Sequence, residues 1–345
     1  MKVVSSQWPV VSEASSLWSV VRFCFALCAV LFALCSSAEA QQITKVARIG
    51  ILAPGNPERQ IRNVRVQAFF QGLRELGWVE GQNLVIERRF AYDQFSRLGE
   101  LAVELAALKV DVIVTAAFPS AKAAKNATAT IPVVILDPGD PVGTGLVASL
   151  ARPGGNVTGV SSIAPDLATK RFEVLKEAAP KISRVAVLFN NEIPPAEIAM
   201  KELEVTARML KVGMQSVAVQ GPNGFDNAFD LIAQQRADTF IVFPDPLTFS
   251  NSDLIVNFAA KSRRPALYGA QEFVEAGGLI CYGPSYPALW ERLAVFVDKI
   301  LRGKAPGDLP VEQPTTLDLV VNSTTAQALG ITVPQSILVQ AKVIQ

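Results

Sequence analysis

The stretch DVIVTAAFPSAKAAKNATATIPVVILDPGDP (111–141) carries the fold in miniature. DVIVTAA (111–117) and PVVILD (132–137) are short, continuous apolar runs rich in β-branched residues, the pattern of strands covered on both faces. The alanine-rich segment between them, opening at Pro119 and Ser120, predicts a helix. Two parallel strands need a crossover connection, and a helix is the usual one.

Working outward, the same alternation repeats. Upstream lie a strand VARIGIL (46–52), a helix from Ile61 to Leu76 closed by Gly77, a strand NLVIERRF (83–90) and a helix over 94–108. Downstream, GTGLVASL (143–150) reads as a helical turn and ARPGGNVTGVSS (151–162) as a turn with a short strand. The pattern then restarts. Helices are predicted at 166–179, 195–212, 226–236 and 251–261. Strands are predicted at RVAVLFN (184–190), MQSVAVQ (214–220), DTFIVFP (238–244), PALYG (265–269) and GLICYG (278–283). The remainder gives a helix at 286–302, a proline-rich link APGDLPVEQP (305–314), a strand LDLVV (317–321) and a short helix ending at Gly330. This tail is too small for a third domain and completes the two α/β units. The expected class is α/β: two Rossmann-like lobes with parallel sheets and a chain that crosses between them more than once. Ligands of such sheets bind beyond the carboxyl ends of the strands, so facing lobes enclose a shared cleft that closes on its occupant.

Composition narrows the chemistry. With 32 Lys+Arg against 31 Asp+Glu in 345 residues, nothing draws the chain to nucleic acid or an anionic membrane. The sequence has no histidine, which removes the Ser-His-Asp triad, the Cys-His dyad and His-ligated zinc. Phosphate-loop, nucleophile-elbow and C-x-x-C motifs are missing from the sequence. Gly143-Thr-Gly145-Leu-Val-Ala148 fits G-x-G-x-x-A but follows no first strand, and no acid stands at a second strand end. No metal or cofactor is expected.

Arg22, the uncharged run FCFALCAVLFALC (23–35) and Ala38-Glu39-Ala40 have the order of an export signal cut after Ala40. An uncleaved anchor is the alternative, although the run is short of the roughly 20 residues a span needs. Cleavage removes three of the four cysteines and leaves Cys281, so no internal disulfide is expected.

The strand-end loops supply the candidate site. Ser120 opens a helix whose N–H groups suit a ligand carboxylate, or else only caps that helix. Asp137 and Asp140 can hold an ammonium, and Asp beside Pro and Gly is also ordinary turn chemistry. Asn190 ends one strand of the second unit. Asp245, between two prolines at the end of another, is the preferred ammonium partner. Phe118, Tyr268 and Tyr282 can stack on a flat or apolar ligand, or pack the hinge.

Several blocks resemble a bacterial family of ABC-transporter substrate-binding proteins. They include GLRELGWVEGQNLVIERRF, GDPVGTGLVASLARPGGNVTGVSS, RADTFIVFPDPLTFS and EFVEAGGLICYGPSYPALWERLAVFVDKILRGKAPGDLPVEQPT. The resemblance covers about 45–345. It implies a periplasmic-binding-protein fold of type I, with crossings near 159–163, 283–286 and 309–315. One lobe is then 41–160 with 286–310, and the other 161–285 with 311–345. It also implies a monomeric periplasmic receptor that hands a small solute to an inner-membrane ABC permease, some relatives being linked to aromatic amino acids. On that template the cleft is lined by Leu52, Ala53, Pro54, 116–120 (with Ala117, Phe118 and Ser120), 137–141, Asn190, Asp245, Tyr268 and Tyr282. Many relatives carry G-T-P-A-A where this chain has Ala117-Phe118-Pro119-Ser120-Ala121; the ring of Phe118 implies a different or smaller ligand. A sensory module of the same fold and a carboxylate-dependent periplasmic enzyme are the rival functions.

Overall fold

The computed structural model describes residues 46–57, 64–161 and 165–345. The expected export signal and the predicted start of the first helix at Ile61 lie outside them. The described chain forms one compact unit built on two sheets. The first contains β1 (Ala47–Ala53), β2 (Leu84–Phe90), β3 (Val112–Ala116), β4 (Val133–Leu136) and β5 (Val157–Val160), all parallel, in the order β2-β1-β3-β4-β5. The second contains β6 (Arg184–Asn190), β7 (Gly213–Val219), β8 (Thr239–Val242), β9 (Ala266–Tyr268), β10 (Ile280–Pro284), β11 (Leu317–Asn322) and β12 (Lys342–Ile344). Its order is β12-β11-β10-β9-β8-β6-β7, with β11 antiparallel to β10 and every other pair parallel.

Each sheet thus repeats one plan: the second strand pairs outside the first, and the third on the other side of it. The order reverses between β1 and β3 in one lobe and between β6 and β8 in the other. These reversals open the crevices where doubly wound sheets take ligands. Strands β4, β5 and β8 are buried throughout and β3 is buried up to its last residue, Ala116, as strands covered on both faces are. Edge strand β2 carries Glu87, Arg88 and Arg89 and is only partly covered.

The chain passes between the sheets three times. After β5 it enters helix 165–178, which packs on β9 and β10. After β10 it returns to the first sheet as helix 286–301, which lies along helix 64–75 and over β4 and β5. Leu289, Leu293, Phe296, Val297 and Ile300 form the buried stripe of that helix. Each apolar side chain so covered stabilises by roughly 1.5–3 kcal/mol. A Cβ on Gly72 would stand 3.0 Å from that of Ala294, so the two helices cross at nearly the closest approach side chains allow. The third passage leaves the first sheet where Glu312 N–H donates to Gly159 O at 2.9 Å, and it enters β11. Arg292 grips Glu312 there with two bonds of 2.6 and 2.7 Å, which lowers the Glu312 pKa.

Three local readings differ from the sequence expectation. The helix after β3 begins at Ala117, not near Ser120, because Ala117 takes a left-handed φ of 63° that turns the chain sharply off the strand. Residues 143–150 form turns, not a helix, with Gly145 at φ 71°. Short helices at 246–250 and 271–275 and the final strand β12 were too brief to show periodicity.

Candidate functional site

At the first reversal, β1 runs into Leu52, Ala53 and Pro54, all buried. The Pro54 carbonyl accepts from Asp93 N–H at 2.8 Å, which ties this loop to the end of β2. Beside it, β3 delivers Thr115 and then the Ala117 turn. Ser120 is fully buried in the first turns of its helix, makes no cap, and its Oγ has no partner; neither has Thr115 Oγ1. Phe118 is half-buried and packs on the cluster of Leu52, Leu98 and Leu101. Its ring therefore thickens this lobe's wall.

The two aspartates after β4 have separate tasks. Asp140 Oδ1 accepts from Val142 and Gly143 N–H at 3.0 and 2.8 Å, so its carboxylate is spent on its own turn. Asp137, at a left-handed φ of 48°, accepts from Tyr286 Oη at 2.6 Å and links the end of β4 to helix 286–301. Burial raises the Tyr286 pKa well above its ordinary value, so the phenol keeps its proton and serves as donor.

At the second reversal the polar atoms are more exposed to need. Asn190 ends β6, fully buried; its Oδ1 accepts from Glu192 N–H at 2.9 Å, while Nδ2 has no partner. Asp245 follows β8 and is 8% exposed. Its Oδ1 caps helix 246–250 through Leu247 and Thr248 N–H at 2.6 and 3.2 Å, and Thr248 Oγ1 returns a bond to complete a capping box. Asp245 Oδ2 makes no hydrogen bond of ordinary geometry, but the Asn190 amide acts on the carboxyl and pulls its pKa down. Burial pushes the carboxyl pKa up to about 7, against the pull of those N–H donors.

Tyr268 packs the core and does not face an occupant, whereas the Tyr282 ring is half-buried. The Tyr268 side chain points into the core, fully buried and stacked on Phe273 with ring centroids 5.0 Å apart. Tyr282 is half-buried among apolar neighbours, and its carbonyl accepts from Arg171 Nε at 2.8 Å.

Sequence reading missed two arginines. Arg171, on helix 165–178, is 6% exposed. It occupies the apolar stripe of Leu167, Val174, Leu175 and Ala178, and a charge within such a stripe was the available signal. Arg65, on helix 64–75, reaches the opposite lobe: Nε lies 3.0 Å from Glu272 Oε1, and the guanidinium sits 4.2 Å above the Phe249 ring. With a weak contact between Ser250 and Asp93 (3.4 Å), these atoms bring the two cleft faces together.

Among the described residues no cluster of acidic and cysteine side chains can hold a metal ion, and no helix is long and apolar enough to cross a membrane. Each reversal carries buried donors and acceptors with hydrogen-bonding capacity unmet, Thr115 and Ser120 at the first and Asn190 and Asp245 at the second, groups suited to holding a solute by hydrogen bonds and charge.

Known proteins match this arrangement. A structure from Vibrio cholerae described as a conserved domain protein is 29% identical, with TM-score 0.81, covering 87% of this chain and all of its own. A Streptococcus pneumonia ABC domain in complex with L-Trp is 28% identical, with TM-score 0.80, covering 86% of this chain and 99% of that one. A ligand-free, open substrate-binding protein with adhesive properties from Clostridium difficile is 27% identical over similar coverage, with TM-score 0.64. The curated "Tyrosine-binding protein" of Clostridioides difficile is 27% identical over 76% of this chain and 75% of its own length. The family model described as ABC transporter substrate binding protein matches residues 58–344. The chain therefore belongs to the ABC transporter substrate-binding protein family, non-catalytic receptors that bind a small molecule and serve an ABC importer.

Proposed function

We propose that this protein is the monomeric periplasmic receptor for an amino-acid-like solute bearing an amine and a carboxylate. It is exported by cleavage after Ala40 and hands its cargo to an inner-membrane permease. The observation that carries this reading is the pair at the second reversal: the Asp245 carboxyl and the Asn190 amide, both buried, whose Oδ2 and Nδ2 make no hydrogen bond of ordinary geometry. A buried carboxyl whose second oxygen lacks a well-placed donor is destabilising once it ionises, and a ligand ammonium relieves it. The first lobe supplies the facing wall through Pro54, Ala117, Phe118 and Ser120. The tyrosine-binding and L-Trp-bound relatives agree with this solute class.

The test is a thermal-shift screen of amino acids, amines and small acids on protein exported with its own N-terminal segment. The intact mass of that protein reports cleavage before Gln41. A ligand at 100 times its Kd stabilises by about 2.7 kcal/mol. Asp245→Ala is expected to weaken an amine-bearing hit by about tenfold or more. Equal affinity of the variant by calorimetry would remove Asp245 from the site.

A further inference from the structure

We propose that Arg171 is the receptor for the ligand's carboxylate, held at the hinge end of the second lobe. This rests on the amino-acid-like reading above and deepens it.

Arg171 is nearly enclosed, yet makes no ion pair within 4.0 Å among the described residues. Among the described residues its one hydrogen bond is from Nε to the Tyr282 carbonyl at 2.8 Å, and no carboxylate of theirs pairs with the two terminal nitrogens of the fork. Asp137 is the carboxylate that acts on it electrostatically and favours its charge, but Asp137 accepts from Tyr286 and makes no ion pair with the guanidinium. Burial accordingly lowers the Arg171 pKa. A desolvated cation without its counter-ion is strongly unfavourable unless something else supplies one.

The surroundings are shaped to admit the group. Gly269 follows β9 and Gly283 lies in β10, both at the carboxyl ends of the sheet. A Cβ on Gly269 would lie 3.0 Å from Arg171 Nη2 and 2.7 Å from Pro244 Cγ; one on Gly283 would lie 3.2 Å from Nη2. Two glycines therefore make the room in which the guanidinium lies, flanked by the Pro244-Asp245 loop. Fixing Nε on the Tyr282 carbonyl aims the remaining fork, and a planar fork with paired N–H donors matches a carboxylate in a way neutral donors do not. The buried Ser120 end of the first lobe has only such neutral donors. Because Tyr282 belongs to β10, just before the second passage between sheets, a carboxylate seated here touches the hinge itself.

The experiment uses four related probes: L-tyrosine, tyramine (amine only), 3-(4-hydroxyphenyl)propionate (carboxylate only) and 4-ethylphenol (neither). Each is titrated into the wild-type protein, Arg171→Met and Asp245→Asn. In the wild type, L-tyrosine should bind at least about tenfold more tightly than tyramine. Arg171→Met should erase that preference and the response to the propionate while leaving tyramine unchanged. Asp245→Asn should do the converse. Unliganded Arg171→Met should melt at the same temperature as the wild type or higher, since it loses an uncompensated buried charge. A carboxylate preference that survives Arg171→Met overturns the proposal and leaves the amino-acid reading intact. Silence from every probe in the wild type sinks the amino-acid reading, and the unliganded melting temperature then decides Arg171. A drop of several degrees marks a structural strut and overturns the proposal.

Discussion

Replacing Asp245 by Asn should make the unliganded protein more stable, and only above acidic pH. The carboxyl is held at about 7 in the fold against about 3.9 in an unfolded chain. Between those values the unfolded state has released the proton while the folded state still binds it. Folding stability from this group is therefore fully present below about pH 4 and falls as pH rises, at about 1.4 kcal/mol per pH unit, levelling off above about pH 7. The accumulated loss is about 4 kcal/mol. Asn has the same shape, and its Oδ1 can keep the cap on Leu247 and Thr248 N–H that Asp245 Oδ1 now makes. The substitution removes the titration without removing the cap. Urea unfolding at pH 4.5, 6 and 8 should show the variant and wild type nearly equal at the lowest pH. The gap should widen to about 2–4 kcal/mol in favour of the variant at the highest. An amine ligand reverses the balance: it ionises Asp245, so wild-type affinity should climb with pH up to about 7 and then flatten. A stability gap that is constant from pH 4.5 to 8 would refute the reasoning, because it would place Asp245 in the ionised state throughout.

Two further outcomes follow from contacts away from the polar pair. Arg65→Ala removes both the bridge to Glu272 and the cation over Phe249, which together hold the cleft faces for about 1–2 kcal/mol. Every ligand should then bind about five- to thirtyfold more weakly, with a larger radius of gyration by X-ray scattering; an unchanged radius and affinity would deny Arg65 a part in closure. Cys281 is fully buried and its thiol is pushed up to about 12 by that burial, so a thiol reagent at pH 8 should label it only on unfolding. Rapid labelling of the native protein would contradict the packing around β10.

How much of this was legible in the sequence depends on whether a residue's partner is near it in the chain. RVAVLFN announces β6 to the residue because a strand buried on both faces must be apolar along its whole length. The helix at 286–301 was equally plain, since its stripe repeats over four turns. By contrast, Tyr268 ends a strand and could face either way. It was settled as core only by Phe273, five residues on but across a turn, and by Gly278, where a Cβ would meet the Tyr268 ring at 2.4 Å. Ser120 was misjudged as a helix start because the signal for the true start, Ala117, is a strained dihedral that leaves no mark in residue type.

The site divides along the same line. Asp245 was recoverable because its neighbours Pro244, Pro246 and Thr248 spell out a cap, and only the question of its second oxygen needed three dimensions. Arg171 was written into the sequence as a flaw, a cation on an apolar stripe, whose meaning depends on glycines about 100 residues away. The two residues share one physical property: each is an ionisable group in a buried place where the fold alone gives it no ion-pair partner. A protein selected only for stability would remove both, since buried charges are readily replaced by apolar or neutral residues without harm. Retaining an unpaired acid beside one strand end and an unpaired base beside another makes sense when a third body, carrying both opposite charges, completes them. On the proposed function, closure and recognition become one event: a zwitterionic ligand supplies counter-charges to both groups as the lobes meet around it, and the lobes have reason to part when it leaves.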